Sequence, residues 1–364
     1  MKQGSISRRS VAKAIAGGTV ASAMSLSIAN ASTGKAPFML NLTQDAGEIT
    51  IFNWYETWTA QMMEAFTEET GIRVNQIGTY SANDEWWARL QAGTAFDVFM
   101  PTSDWVERAI KADLLLPLDL DLIPNMATLE EAYQAVPAYE SDGDVFATPF
   151  VRLWYSLTYN TNEFSEAPTS WAVTWDEAYE GRITVQDNAL ARIGTTAVYL
   201  GDDPFEPSDW DAIRDALMEQ KELIQKYWKD YQAGMEMFVN EEAVVGQLTD
   251  GRTRMGAGLG GAMSWTVPEE GALVEVDTFA IPRVAENPEG AHQFIDFLLR
   301  PENQLLLMTE MGYDTVSAVA HEQLPEELVS GFQAPEGSQG FLTKDLDPAI
   351  RSQMDELWTE VQLS

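Results

Sequence analysis

The chain contains no cysteine and only two histidines, His292 and His321, among its 364 residues. Disulfides, thiolate metal centres, cysteine nucleophiles and a lipid-modified cysteine anchor are thereby excluded, and a histidine-rich metal site with them. Positive charge is scarce: 22 Lys and Arg stand against 57 Asp and Glu, a formal net charge of −35. Binding to phosphates needs a basic footprint, so nucleic acid drops out as a partner class. Such acidity suits a cationic ligand or a salty medium and says little about fold. Also missing are Gly-x-Ser-x-Gly, a His-paired nucleophile and a metal-ligand cluster. An enzymatic reading rests only on acidic pairs such as Glu275 and Asp277.

What is present begins with a leader. Ser7-Arg8-Arg9-Ser10-Val11-Ala12-Lys13 precedes an Ala- and Gly-rich apolar run that ends at Ala29-Asn30-Ala31, a small-x-small cleavage pattern. This is read as an export signal of residues 1–31, similar to the twin-arginine class, with the periplasm as destination. It is too diluted with Ser, Thr and Gly to anchor in a membrane. Its Lys2, Arg8, Arg9 and Lys13 are uncompensated, so the mature chain would hold 18 basic and 57 acidic residues, a net charge of −39. Residues 32–46 mix Ser, Thr, Gly, Pro and Asp and read as a tether.

The body alternates strand and helix signals. Glu48–Asn53 reads as a strand and Thr59–Glu69 as an amphipathic helix, with Gly71 at its C-terminal cap and Ile72-Arg73-Val74 resuming a strand. Asn83 to Leu90 is predicted helical, Asp97–Met100 a buried strand, and Ser103 or Asp104 to Lys111 a helix. That rhythm predicts a parallel α/β sheet. Later, Arg182–Val185 and Arg254–Gly258 read as strands, and Asp209–Tyr227 and Gly290–Leu299 as helices. Gly256-Ala257-Gly258-Leu259-Gly260-Gly261 satisfies G-x-G-x-x-G, but Val267-Pro268 follows too soon for a helix to open there, so no dinucleotide cofactor is expected.

Several stretches in order resemble the periplasmic spermidine/putrescine-binding proteins of ABC importers, over roughly Ile49 to Ala320. They are Asn53-Trp54-x-Glu56, Glu69-Thr70-Gly71-Ile72-x-Val74, Tyr80-x-x-Asn83 and Phe96-Asp97-Val98-x-x-Pro101. Thr169-Ser170-Trp171-x-x-Trp175, Ala280-Ile281-Pro282, Phe297 to Pro301 and Gly312-Tyr313 complete the series. The resemblance implies an α/β, two-lobed periplasmic binding protein fold of type II. Two parallel or mixed sheets would be flanked by helices, with a hinge between the lobes. Residues 47–153 with 278–320 would form lobe 1, and 154–277 with 321–364 lobe 2. It further implies no enzyme and no cofactor, but a monomeric receptor handing a small amine to a membrane permease.

Trp54, Tyr55 and Glu56 follow a strand, at the sheet edge where open α/β folds place ligands. Aromatic faces attract ammonium groups by roughly 0.5–2 kcal/mol when desolvated. An aromatic slot with carboxylates at its ends is a physical description of a diamine receptor. Trp58 is read as structural, and one of Trp86 and Trp87 as core with the other at the cleft rim. By resemblance, Thr102 keeps a ligand-touching hydroxyl, while Asp104 stands where the family has an aromatic hydroxyl. Asn188 and Ala191 replace an acidic pair, and Thr249 replaces a stacking tryptophan ahead of Asp250-Gly251-Arg252. Glu275 and Asp277 occupy a Trp-x-Asp motif, and Tyr313 is retained. The expected ligand is a polyamine-like cation. The alternative is a zwitterionic, guanidino or quaternary amine whose anion meets Arg252.

Overall fold

Thr59 starts the first helix and Gly71 stops it. The Thr59 side chain accepts from Met62 N at 3.3 Å, and Gly71 takes a φ of 75°, a left-handed conformation that costs glycine nothing. The helix Ala60–Thr70 buries Met62 and Phe66, and each such side chain contributes about 1.5–3 kcal/mol. The computed structural model describes residues 47–54 and 57–364. The leader, the tether, Tyr55 and Glu56 lie outside the described residues.

The strands Glu48–Trp54 and Arg73–Tyr80 pair in parallel, and Val98–Phe99 joins the first of them in parallel on its other side. Ala272–Ala280 follows, antiparallel, and then Ala147–Asn160, a strand of 14 residues. As far as Trp154 this strand pairs with Ala272–Ala280; from Tyr155 onward it pairs with Val245–Thr249. It therefore belongs to two sheets at once. Beyond Val245–Thr249 the second sheet runs parallel through Ile183–Gln186 to Ile224–Trp228. One apolar core gathers Ile51, Phe66, Val98, Phe150, Phe279 and Phe294 on the first sheet. On the second, Tyr155, Ile193, Leu217 and Leu273 meet Trp358 of the last helix, Pro348–Leu363. No helix among the described residues is long and apolar enough to cross a membrane.

Two predicted elements come out differently. The helix expected over Asp209–Tyr227 is Trp210–Lys221, and Ile224–Trp228 is a strand, because its backbone pairs with Ile183–Gln186. The strand expected at Arg254–Gly258 is the end of a helix, Asp250–Gly258, closed by an Asp250–Arg254 ion pair at 2.7 Å. Ion pairing one turn apart favours a helix that a Gly-rich sequence alone would not hold.

Gly246, in the middle of Val245–Thr249, has a φ of 156°, and a Cβ there would lie 1.8 Å from Thr184 O. Gly246→Ala is expected to destabilise the protein by about 3 kcal/mol, the upper end of overpacking costs. Chemical denaturation reads this as a lower midpoint; an unchanged midpoint would mean the neighbouring strand yields.

Candidate functional site

Side chains alternate across a strand, and in Ala272–Ala280 this sends Val274 and Val276 into the core, 5% and 0% exposed. Glu275 and Asp277 point the other way and keep part of their surface open to a cavity of about 190 Å³. Trp54 and Tyr80 wall it on one side. They are the last residues of neighbouring parallel strands, register partners whose rings meet edge-on at 4.6 Å. Tyr80 is pinned, its hydroxyl donating to Met100 O at 2.7 Å and accepting from Met100 N at 3.0 Å. From the second sheet come Thr249 at a strand end, Arg252 in the following helix, and Asp230 with Tyr231 where helix Tyr231–Val239 begins. Leu153, Ser81, Lys229, Gln232 and Tyr313 complete the lining. Strand ends from both sheets thus converge on one hollow, as the edge rule for α/β folds anticipates.

The electrostatics are one-sided. Glu275 Oε2 accepts from the Tyr155 hydroxyl at 3.1 Å. Burial, then the charges of Asp104 and Asp277, push the Glu275 carboxyl well above the usual range, against the opposing bond from Tyr155. Burial and the Asp104 charge push Asp277 up to about 7. Both carboxyls thus sit in a place that disfavours their charge. Of the basic side chains on the rim, Lys229 is mostly in solvent and pairs with Asp187 at 3.3 Å. Among the described residues no group of His, Asp and Glu is arranged to hold a metal ion. An ammonium group placed here gains charge-assisted hydrogen bonds, about twice as strong as neutral ones. Trp54, Tyr80 and Tyr231 form the aromatic part of the wall beside it.

Of the residues expected at the site, Trp54, Thr249, Arg252, Glu275, Asp277 and Tyr313 line this cavity together. Thr102 and Asp104 do not. They are 2% and 8% exposed, one layer behind Asp277, with which Thr102 forms a backbone bridge. Asn188 is not in the lining either. Its side chain caps helix Ala189–Leu200 by accepting from Ala191 N at 2.9 Å, the ordinary use of Asn ahead of a helix. Trp58 packs on Phe279 and Phe294, and Trp86 is fully buried. Trp87, expected at the rim, instead stacks under the Arg108 guanidinium at 4.5 Å. Tyr80 and Tyr231 were missed, although both satisfy the strand-edge argument applied to Trp54: Tyr80 ends its strand, and Tyr231 lies three residues beyond the end of Ile224–Trp228.

The raised Asp277 carboxyl has a consequence for stability. A group whose pKa is raised by folding binds its proton more tightly in the native state. That stabilisation is complete below the unfolded value near 3.9 and is lost as pH rises through about 7. The ligand-free protein is therefore expected to melt at a lower temperature at about pH 8 than at about pH 5, on either side of that window, with Asp277→Asn flattening the difference. A difference equally steep in Asp277→Asn would move the effect to other groups.

Residues 61–330 match the family model for bacterial extracellular solute-binding proteins. A spermidine/putrescine-binding periplasmic protein of Haemophilus influenzae is 27% identical over 76% of this chain and 78% of its own. A putrescine/cadaverine-binding protein of Pseudomonas aeruginosa is 26% identical over 87% and 94%. Among solved structures, the substrate-binding protein of a spermidine/putrescine ABC transporter from Streptococcus pneumoniae superposes with a TM-score of 0.77 at 23% identity. It covers 87% of this chain and 99% of its own. The fold is that of the two-lobed periplasmic binding proteins. With the family model spanning most of its length, the chain belongs to the bacterial extracellular solute-binding proteins.

Proposed function

We propose that this chain captures a polyamine-like cationic amine in its cavity and delivers it to the membrane permease of an ABC importer. The carrying observation is that Glu275 and Asp277 open together into a cavity walled by Trp54, Tyr80 and Tyr231. Two carboxylates hold an ammonium while ring faces cover its methylenes. The names of the Haemophilus and Pseudomonas relatives support this choice of ligand. Lobe 1 is assigned to residues 47–153 with 278–320, and lobe 2 to 154–277 with 321–364. Ala147–Asn160 and Ala272–Ala280 then cross between them, and closure about these crossings would sequester the ligand. The protein acts as a receptor without turnover, in the periplasm, reached through the twin-arginine leader read in residues 1–31.

The test is calorimetry with putrescine, cadaverine and spermidine. Trp54→Ala is expected to weaken binding by about 1–3 kcal/mol, and unchanged affinity would return Trp54 to a packing role. Asp277→Asn is expected to remove about 2–5 kcal/mol, the cost of truncating one partner of a buried charge pair. Arg252→Ala should leave affinity for these simple cations intact. A matching loss in Arg252→Ala would instead favour a ligand that also carries an anion.

A further inference from the structure

We propose that Asp104, which does not itself line the cavity, is a positioning residue that makes Glu275 and Asp277 hold a proton when the cavity is unliganded, so that capturing a cation expels that proton to solvent. This rests on the cation reading above.

The geometry packs the chain that carries Asp104 against the strand that carries the two lining carboxyls. It is the second residue of helix Ser103–Lys111, 8% exposed, and the Thr102 hydroxyl donates to it. The segment just before it is stitched to the acidic strand. Thr278 N and its hydroxyl both donate to Pro101 O, at 3.0 and 2.7 Å, and Val276 N donates to Ser103 Oγ at 3.2 Å. Thr102 and Asp277 form the backbone bridge between these contacts. Asp104 therefore cannot move away from Asp277 without breaking several hydrogen bonds.

Lys229, paired with Asp187 at 3.3 Å, Asp230 and Arg252 share the cavity with Glu275 and Asp277. The other groups facing this trio do little to neutralise it. Tyr155 of the long strand and Tyr231 of its helix face Glu275, Tyr80 faces Asp277, and Tyr139 faces Asp104. Burial pushes all four phenols up, so they stay neutral near pH 7. From the C-terminal helix Arg351 faces Asp104, but it bonds Asp345 at 2.8 Å, and Asp345 opposes it. Lys111, on the same helix as Asp104, pairs with Glu107 at 2.9 Å and Asp345 at 3.3 Å. Burial raises the Asp104 carboxyl as well, so three carboxyls confined together cannot all ionise, and their protons titrate as a coupled set. An incoming ammonium supplies the missing positive charge. One carboxyl O–H then ionises, its proton passes to water or buffer, and the carboxylate pairs with the ligand. Charge is conserved, with one cation taken up and one proton released.

Asp104→Asn, nearly isosteric, removes the third charge and leaves the Thr102 partner in place. Carboxyl ¹³C NMR titration of the ligand-free full chain, with Asp and Glu labelled, reads the effect without any ligand. In the wild type one carboxyl should titrate near neutrality and vanish in Asp277→Asn. In Asp104→Asn it should move acidward by roughly one pH unit, the size of a near-neighbour charge effect. A signal that stays in place overturns the role of Asp104, since a merely structural residue would lower the melting temperature without moving a titration. If Asp104→Asn fails to fold, Asp104→Ser removes the same charge with a smaller polar side chain: the signal should again move acidward, and no movement overturns the proposal.

Putrescine calorimetry in two buffers of different ionisation heat then reads the coupling. Near pH 7 the wild type should release a proton on binding and Asp104→Asn measurably less. Wild-type affinity should fall toward acid pH, at a limiting slope of roughly tenfold per pH unit for each proton displaced. Binding whose heat is independent of the buffer overturns the coupling. No putrescine binding at any pH overturns the coupling and the cation reading together, while the NMR titration still judges Asp104 by itself.

Discussion

The cavity depends on one antiparallel pairing, that of Ala147–Asn160 with Ala272–Ala280. The pairing fixes the register of the acidic strand, and its alternation decides which side chains go inward. Val274 and Val276 fill core, so Glu275 and Asp277 must face the hollow where the two sheets meet. A one-residue slip would bury both carboxyls in the apolar core and turn the valines to the cavity. The register shift between Asp277 and Thr278 marks the limit of this regular stretch. Past it the pairing resumes from Thr278–Pro149 to Ala280–Ala147, while Thr102 bridges Asp277 and Pro101 accepts from Thr278.

Against that frame the charge distribution makes physical sense. The chain is strongly acidic throughout, but most acids are solvated and cost the fold little. The acids at the strand are different, because burial and mutual repulsion raise Glu275 and Asp277. A fold selected for stability alone would replace them with apolar residues of similar size. Groups held where their charge is disfavoured are characteristic of binding sites, since the missing interaction is the one the ligand supplies. The aromatic walls add attraction for a cation without supplying a competing charge, and the pinned Tyr80 keeps its ring in place whether or not a ligand is present.

Much of this was legible in the sequence, for local reasons. Thr59 and Gly71 announce a helix by their capping chemistry, and Glu275-Val276-Asp277 announces two carboxylates on one side by the period of a strand. Trp54 is conspicuous because two polar neighbours interrupt an apolar plug. Elsewhere tertiary contacts decided the outcome. Residues 222–228 continue a helical pattern, and only pairing with Ile183–Gln186 makes the strand Ile224–Trp228. Residues 254–258 include Gly256 and Gly258 and are ambiguous by themselves; the Asp250–Arg254 pair and Arg254 donating to Gly312 O at 2.8 Å resolve them as helix. Asn188 illustrates the limit of aligning by motif: a position expected at the ligand from the resemblance is here used to cap a helix. Asp104 is similar, a carboxylate expected from the resemblance to touch ligand that is buried outside the lining.

The account stands on where the positive charge of a ligand comes to rest. A crystal structure of the full chain grown with putrescine tests this most directly. One ammonium nitrogen should lie within hydrogen-bond distance of both Glu275 and Asp277, with the methylene chain across Trp54 or Tyr80. An amine bound elsewhere, or a cavity in which those two carboxyls touch no cation, would contradict it.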